Sequence, residues 1–150
     1  MGNFYDTVSL LHSSTILPEA LSIQGQASYS MIEEAGIKAI EHKASLGTEL
    51  MIALVDAWLT PLGASLGTPR EASHRGGHII IHHTEAAAIA HGLREISNVI
   101  PDYREPDAIR LAISPLPTSF AEVWDGFDRL RRLMETGEYR TLKPSESRVT

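Results

Sequence analysis

Apolar residues along this chain fall into blocks with helical or strand spacing, separated by turn-forming residues. The first fifteen residues show no clear period. From Pro18 to Ala35 the apolar positions Leu21, Ala27, Met31, Ile32 and Ala35 predict a helix, closed by Gly36 just past its end. A longer helix follows. Ile37, Ile40, Ala44, Leu46, Leu50, Leu54, Ala57 and Trp58 keep helical spacing until Pro61 ends it. Gly47 in its interior costs about 1 kcal/mol relative to alanine, so packing must hold it. The turn-rich "LGASLGTPRE" contains a predicted short strand around Ala64 to Leu66, and "RGGHIIIHH", Arg75 to His83, reads as a longer one.

Thr84 is the expected N-cap of the next helix, with Glu85 at its positive end and Ile89, Leu93 and Ile96 as its apolar stripe. "NVIPDYREPD" reads as a loop or short edge strand, because Pro101 and Pro106 cannot donate to a central ladder. "AIRLAIS" alternates as a strand with Ile109, Leu111 and Ile113 on one face. Ser119 and Glu122 form a capping box for a last helix lined by Phe120, Val123, Trp124, Phe127, Leu130 and Met134, which Gly137 ends. Strands mixed with helices through short connections predict an α+β fold. It has a small antiparallel or mixed sheet with helices packed on one face, preceded by a long helix. The expected organisation is an irregular arm over 1–16, a domain over 17–139 and a flexible tail over 140–150.

Composition narrows the function classes. A formal net charge of -6, with arginines scattered among carboxylates, gives no basic stripe for nucleic acid. Cysteine is absent, which removes disulfides, thiol nucleophiles and thiolate metal sites. No segment reaches the roughly 18 apolar residues of a membrane span, and the start "MGNFYDTVSLLH" lacks a signal pattern, so the expected location is the cytoplasm.

The three histidines of "RGGHIIIHH" invite a metal reading, which strand geometry opposes. At about 3.3 Å per residue His78 and His82 lie roughly 13 Å apart, and His83 points to the opposite face. Zinc needs ligands converging within about 2.1 Å, so the expectation is no metal. No G-x-S-x-G elbow, H-E-x-x-H pair or phosphate-binding glycine loop is present. Arg110 is the residue that chemistry singles out. It shares a strand face with Ala112 and Ser114, small side chains that leave room for a planar fork to bind a carboxylate. The alternative is a structural pair with Asp102, Asp107 or a helix carboxylate. Acid–base candidates near Arg110 are His78, Asp102 and Tyr103, and Ser114 is a second candidate for binding.

From Leu17 to Tyr139 the chain resembles the C-terminal part of kynureninase, the pyridoxal-phosphate enzyme that hydrolyses kynurenine to anthranilate and alanine. The stretches that carry the resemblance are "MIEEAGIKAIEHKASLGTELMIALVDAWL", "TPREASHRGGHIIIHH" and "VIPDYREPDAIRLAISPLPTSFAEVWDGFDRLRRLMETG", in the family's order. "RGGH", "DYREPD" and Arg110 spaced from "PL" before "F-x-x-V-W-D" are its most specific parts. The resemblance implies the small domain of a fold-type I pyridoxal-phosphate enzyme. It also implies a structural strand for "RGGHIIIHH" and a carboxylate-binding role for Arg110.

Departures from the family pattern bear on activity. The family's large domain, with its Schiff-base lysine, pyridine-nitrogen aspartate and stacking aromatic, precedes this region and is not in this sequence. The lysines here are Lys38, Lys43 and Lys143, none in the position of the Schiff-base residue. "STILPE" replaces the family's polar turn, and Pro117 stands where a tyrosine follows "PL". The expectation is therefore no cofactor and no kynureninase activity from this polypeptide alone. Three functions follow: a stand-alone domain binding a small aryl or amino-acid carboxylate, a cofactor-independent enzyme repurposed in a specialised biosynthetic pathway, or one subunit of a split enzyme completed by a large-domain chain.

Without a large domain to cover them, Leu21, Met31, Leu50, Leu54 and Trp58 offer more apolar surface than one sheet can bury. Such patches mark interfaces, and a two-fold homodimer is expected. Light scattering at micromolar concentration should return a dimer mass; a clean monomer would refute it.

Overall fold

Side chains that point by turns to two faces along "HIIIH" and "AIRLA" build the centre of the sheet. The computed structural model describes residues 28–142, in a chain that divides into two units, residues 1–39 and 40–150. In the first unit residues 28–35 are helical. Gly36, at φ +78°, closes that helix, and its N–H donates to the Ile32 carbonyl at 2.9 Å. The earlier part of the helix expected from Pro18, and the expected arm over 1–16, lie outside the described residues.

Helix α1 runs from Ile37 to Leu54. It does not stay α-helical to Pro61 as the spacing predicts. It widens into a π turn over Val55–Leu59 and then a 3-10 turn over Thr60–Leu62. The Thr60 N–H and hydroxyl both donate to the Val55 carbonyl, while Pro61 has no N–H to offer. The widening leaves Val55 and Leu59 fully buried. Burial in α1 starts only at Gly47 and Thr48; Ile37 and Leu46 of the predicted stripe are exposed. The reason is length. An 18-residue helix is about 27 Å long and a five-residue strand about 17 Å, so the sheet is too short to cover all of α1.

Four strands pair antiparallel in the order β1 (Ser65–Leu66), β2 (His78–His82), β4 (Ala108–Ala112), β3 (Asp102–Arg104). The central register sets His78 against Ala112, Ile80 against Arg110 and His82 against Ala108. One face carries Ile79, Ile81, Ile109 and Leu111, with Ile113 just beyond, all buried. Helices α2 (Ala86–Glu95) and α3 (Phe120–Thr136) and the C-terminal half of α1 supply the rest of that core through Met51, Ile52, Ile89, Leu93, Phe127 and Leu130. The α+β arrangement with a long leading helix is the one the pattern predicts. Gly47 has its explanation here, since a Cβ at that position would lie 2.6 Å from Ile113 Cδ1.

Side chains reassign several expected roles. Leu54 is core, and Leu50 and Trp58 pack against it, leaving only Met31 of the described residues expected at an interface clearly exposed; Leu21 lies outside the described residues. In α3 the buried stripe is Val123, Phe127, Leu130 and Leu133, whereas Phe120 and Trp124 flank it and stay exposed. Trp124 instead meets Trp58 edge to face at 5.5 Å between centroids, with the Arg131 guanidinium over the Trp58 ring. Thr84 does not cap α2. The Glu85 N–H is accepted by His83 Nδ1 at 3.0 Å, and His83 Nε2 lies 3.3 Å from the Leu62 carbonyl. The ring thus ties the turn that leads into α2, whose N-cap residue Glu85 makes no side-chain capping bond.

Glu85 is thereby turned toward the chain end. Its carboxylate accepts from the buried Tyr139 hydroxyl at 2.8 Å and from Arg140 at 2.8 and 2.5 Å. Gly92 permits this closure, because a Cβ there would sit 2.6 Å from Tyr139 Cβ. The Arg140 contact, then the Tyr139 hydroxyl, lowers the Glu85 pKa from the ordinary 4.5 to about 2. A depressed carboxyl stabilises the fold above its unfolded value, and that contribution is lost as pH falls through the folded one. The melting temperature should therefore fall between pH 4.5 and about 2, with a shallower slope in Glu85→Gln. Equal slopes in the two proteins would show that Glu85 does not govern this range.

Candidate functional site

Alternation that buries one face of the sheet leaves the other open. On it stand His78, Ile80 and His82 from β2, Ala108, Arg110 and Ala112 from β4, and Asp102 and Arg104 from β3. Arg110 lies directly between Ile80 and Asp102, with a side chain 39% exposed. One of its terminal nitrogens contacts Asp102 Oδ2 at 2.5 Å. The same oxygen accepts from Arg104 Nε at 3.0 Å and from an Arg104 terminal nitrogen at 2.8 Å. Partial burial pushes the Asp102 carboxyl up, but Arg104 and Arg110 outweigh it and hold the pKa below the ordinary value. Two guanidinium groups thus share one carboxylate, which leaves this small cluster with positive charge in a protein of net charge -6.

Other predicted residues divide by strand parity. Asp102 is beside Arg110, as one of the pairings expected for it. His78 is on the same face, opposite Ala112 and diagonal to Arg110, and is exposed. Tyr103 is not part of this grouping. It faces Ile109 on the covered side, packs against the core, and its hydroxyl donates to the Pro106 carbonyl at 2.9 Å. Ser114 is exposed two residues past the end of β4.

His82 and Asp107 were not foreseen as a pair. His82 Nδ1 lies 3.1 Å from Asp107 Oδ1. Alternation already placed His82 on the face of His78, but only folding brings Asp107 to it. Arg75 was read merely as part of a motif, yet its side chain is 2% exposed. It donates to Thr48 Oγ1 at 3.0 Å and to the Arg70 carbonyl, and meets Glu49 at 3.4 Å. It pins the segment before β2 to α1, and its role is to hold the sheet in place.

No three His, Cys, Asp or Glu side chains among the described residues are grouped as a metal ion requires. In the second unit Lys43 lies on α1, close enough to Glu122 at the start of α3 to influence it, in the helical layer rather than on the open sheet face. No helix of the described residues is long and apolar enough to cross a membrane.

Residues 40–130 match the kynureninase C-terminal domain, beginning where the second unit begins. The chain is 38% identical over 113 residues to the kynureninase of Geobacillus thermodenitrificans, covering 75% of this chain and 26% of that protein. It is 37% identical over 116 residues to the kynureninase of Bacillus thuringiensis subsp. konkukian, and 38% over 116 residues to that of Shouchella clausii; each match covers 77% of this chain. The chain thus spans about a quarter of the length of these relatives, 26–27%. With a matching domain over its sheet and helices and relatives that agree across three-quarters of its length, this chain belongs to the kynureninase family, in its C-terminal domain.

Proposed function

We propose that this chain is a carboxylate-binding small domain of kynureninase type, which anchors a small aryl or amino-acid carboxylate on Arg110 and is not a kynureninase by itself. The observation that carries the reading is Arg110 on the open sheet face, half-exposed and paired with an aspartate that it shares with Arg104. A guanidinium has five N–H donors, more than one shared carboxylate can engage, which leaves donors for an incoming carboxylate. Asp102 orients the fork while Arg104 offsets part of its charge. The neighbours Ile80 and Ala112 add no competing acceptor.

A charge-assisted contact is worth about 1.5–3 kcal/mol, and exposure of Arg110 to solvent places it at the lower end. Arg110→Lys should therefore weaken benzoate binding about tenfold, because an ammonium cannot reproduce the planar fork. If Arg110→Ala lowers the melting temperature but leaves carboxylate affinity unchanged, the arginine is structural and the reading fails.

The second reading is one subunit of a two-chain kynureninase, favoured by the open sheet face that bears Arg110. In both readings this polypeptide alone carries no Schiff-base lysine. Mixed with pyridoxal phosphate and reduced with borohydride, it should show no stoichiometric label by mass spectrometry at Lys38, Lys43 or Lys143. Stoichiometric labelling of one of them that survives dialysis would overturn this.

A further inference from the structure

His83 ties the end of β2 to the turn after α1, to the start of β4 and to the start of α2, and its ring does so in one protonation state. The Glu85 N–H donates to Nδ1 at 3.0 Å. An accepting ring nitrogen carries no hydrogen, so in the neutral ring the proton sits on Nε2, which faces the Leu62 carbonyl at 3.3 Å. The backbone fixes the ring in this place. The His83 N–H donates to the Asp107 carbonyl at 2.9 Å, and the His83 carbonyl accepts from the Ala86 N–H at 3.0 Å. Gly63 stands against the ring, where a Cβ would lie 3.4 Å from Nε2. Both ring nitrogens are thereby committed, one as acceptor and one as donor.

A second proton would end that commitment. Bound at Nδ1, it makes this nitrogen a donor and sets it against the Glu85 N–H. The carboxylate of Glu85 lies close enough for a charge on His83 to stabilise it. That carboxylate is already engaged, by the Tyr139 hydroxyl and by Arg140. The other segments around the ring offer the new charge little. The turn over Thr60–Leu62 presents a carbonyl and has no ionisable side chain. Asp107 at the start of β4 presents its carbonyl, while its carboxylate bonds His82. Imidazole is the side chain that gains a proton between about pH 8 and 5. Glu85 keeps its negative charge throughout that range, since its own pKa lies at about 2.

We propose that His83 is a proton-operated switch on the turn after α3, Glu138–Thr141. With the ring neutral, Glu85 is left to Tyr139 and Arg140, and the turn stays docked against Gly92. With the ring protonated, the Glu85 N–H is released and the Glu85 carboxylate is drawn toward the imidazolium, so the turn loosens. One set of Glu85 contacts replaces another, and local opening reports the change. Amide hydrogen exchange of the 150-residue chain is measured at pH 8 and pH 5, as protection relative to the intrinsic rate at each pH. The ¹⁵N shifts of the His83 and His82 rings are followed between the two. Protection of the Glu85 amide, and of the Arg140 amide that donates to the Gly137 carbonyl, should fall about two- to tenfold at pH 5, the range of one net hydrogen bond. The loss should share its midpoint with the His83 ring. His83→Asn should remove the response, because an asparagine oxygen accepts the N–H two residues on and takes up no proton. Unchanged protection in the wild type would overturn the switch, as would a loss that persists in His83→Asn or follows the His82 ring instead. If His83→Asn does not fold, the wild-type midpoints decide: a shared midpoint supports the switch, and separate midpoints overturn it.

Discussion

Antiparallel pairing of β2 with β4 is the constraint from which both faces of the domain follow. Five residues of each strand oppose one another, from His78 with Ala112 to His82 with Ala108. In this register Ile79, Ile81, Ile109 and Leu111 turn together toward the helices, and Ile80 and Arg110 turn together toward the open face. A slip of β4 by one residue would exchange its faces, exposing Ile109 and Leu111 and burying a guanidinium. The same hydrophobic burial that drives the fold therefore sets where Arg110 stands.

Around that pair, close approaches of backbone complete the layer of helices. Gly47 lets α1 come against Ile113, and Gly92 lets α2 come against Tyr139. Arg75, almost wholly buried, joins the segment before β2 to Thr48 and Glu49. Its cost of desolvation is met by hydrogen bonds to a hydroxyl and a carbonyl, as buried charge requires. Glu85, Tyr139 and Arg140 do the same at the other end, where the residues after α3 return to the start of α2. These polar ties fix the positions of helices that apolar contacts alone would leave free to slide.

Membership of the kynureninase C-terminal domain family gives the open face its context, because the chain spans only about a quarter of the length of its relatives. On that face the charges are unevenly matched. Arg104 and Arg110 draw on one carboxylate, and His82 draws on another. Asp128 on α3 likewise serves two arginines, but within one element: its side chain is 7% exposed and meets Arg131 and Arg132 of the same helix. Local pairs of that kind hold a helix together. Pairs across strands, as at Arg110, report instead what the fold has gathered.

What the sequence alone determined is periodic and local. Alternation in "AIRLAIS" marked one central strand and put Arg110 on the face away from Ile109 and Leu111, and the apolar run of "RGGHIIIHH" marked the other. Ser119 with Glu122 and the glycine at 137 marked the ends of α3 correctly, since a cap needs only residues a turn apart. The family was legible too, through motifs carried in order along the chain. Only the tertiary structure decided which partner each polar group takes. The choice of Asp102 rather than Asp107 for Arg110, and of His82 for Asp107, depends on register between strands, and His82 and Asp107 are 25 residues apart. Glu85 and Tyr139, 54 residues apart, meet only because α2 and the turn after α3 pack together. Likewise His83 holds the turn before α2 with one ring nitrogen while the other lies by the Leu62 carbonyl, 21 residues earlier. Spacing along a chain encodes which way a side chain points from its own element; what it meets there is settled by the packing of elements distant in sequence.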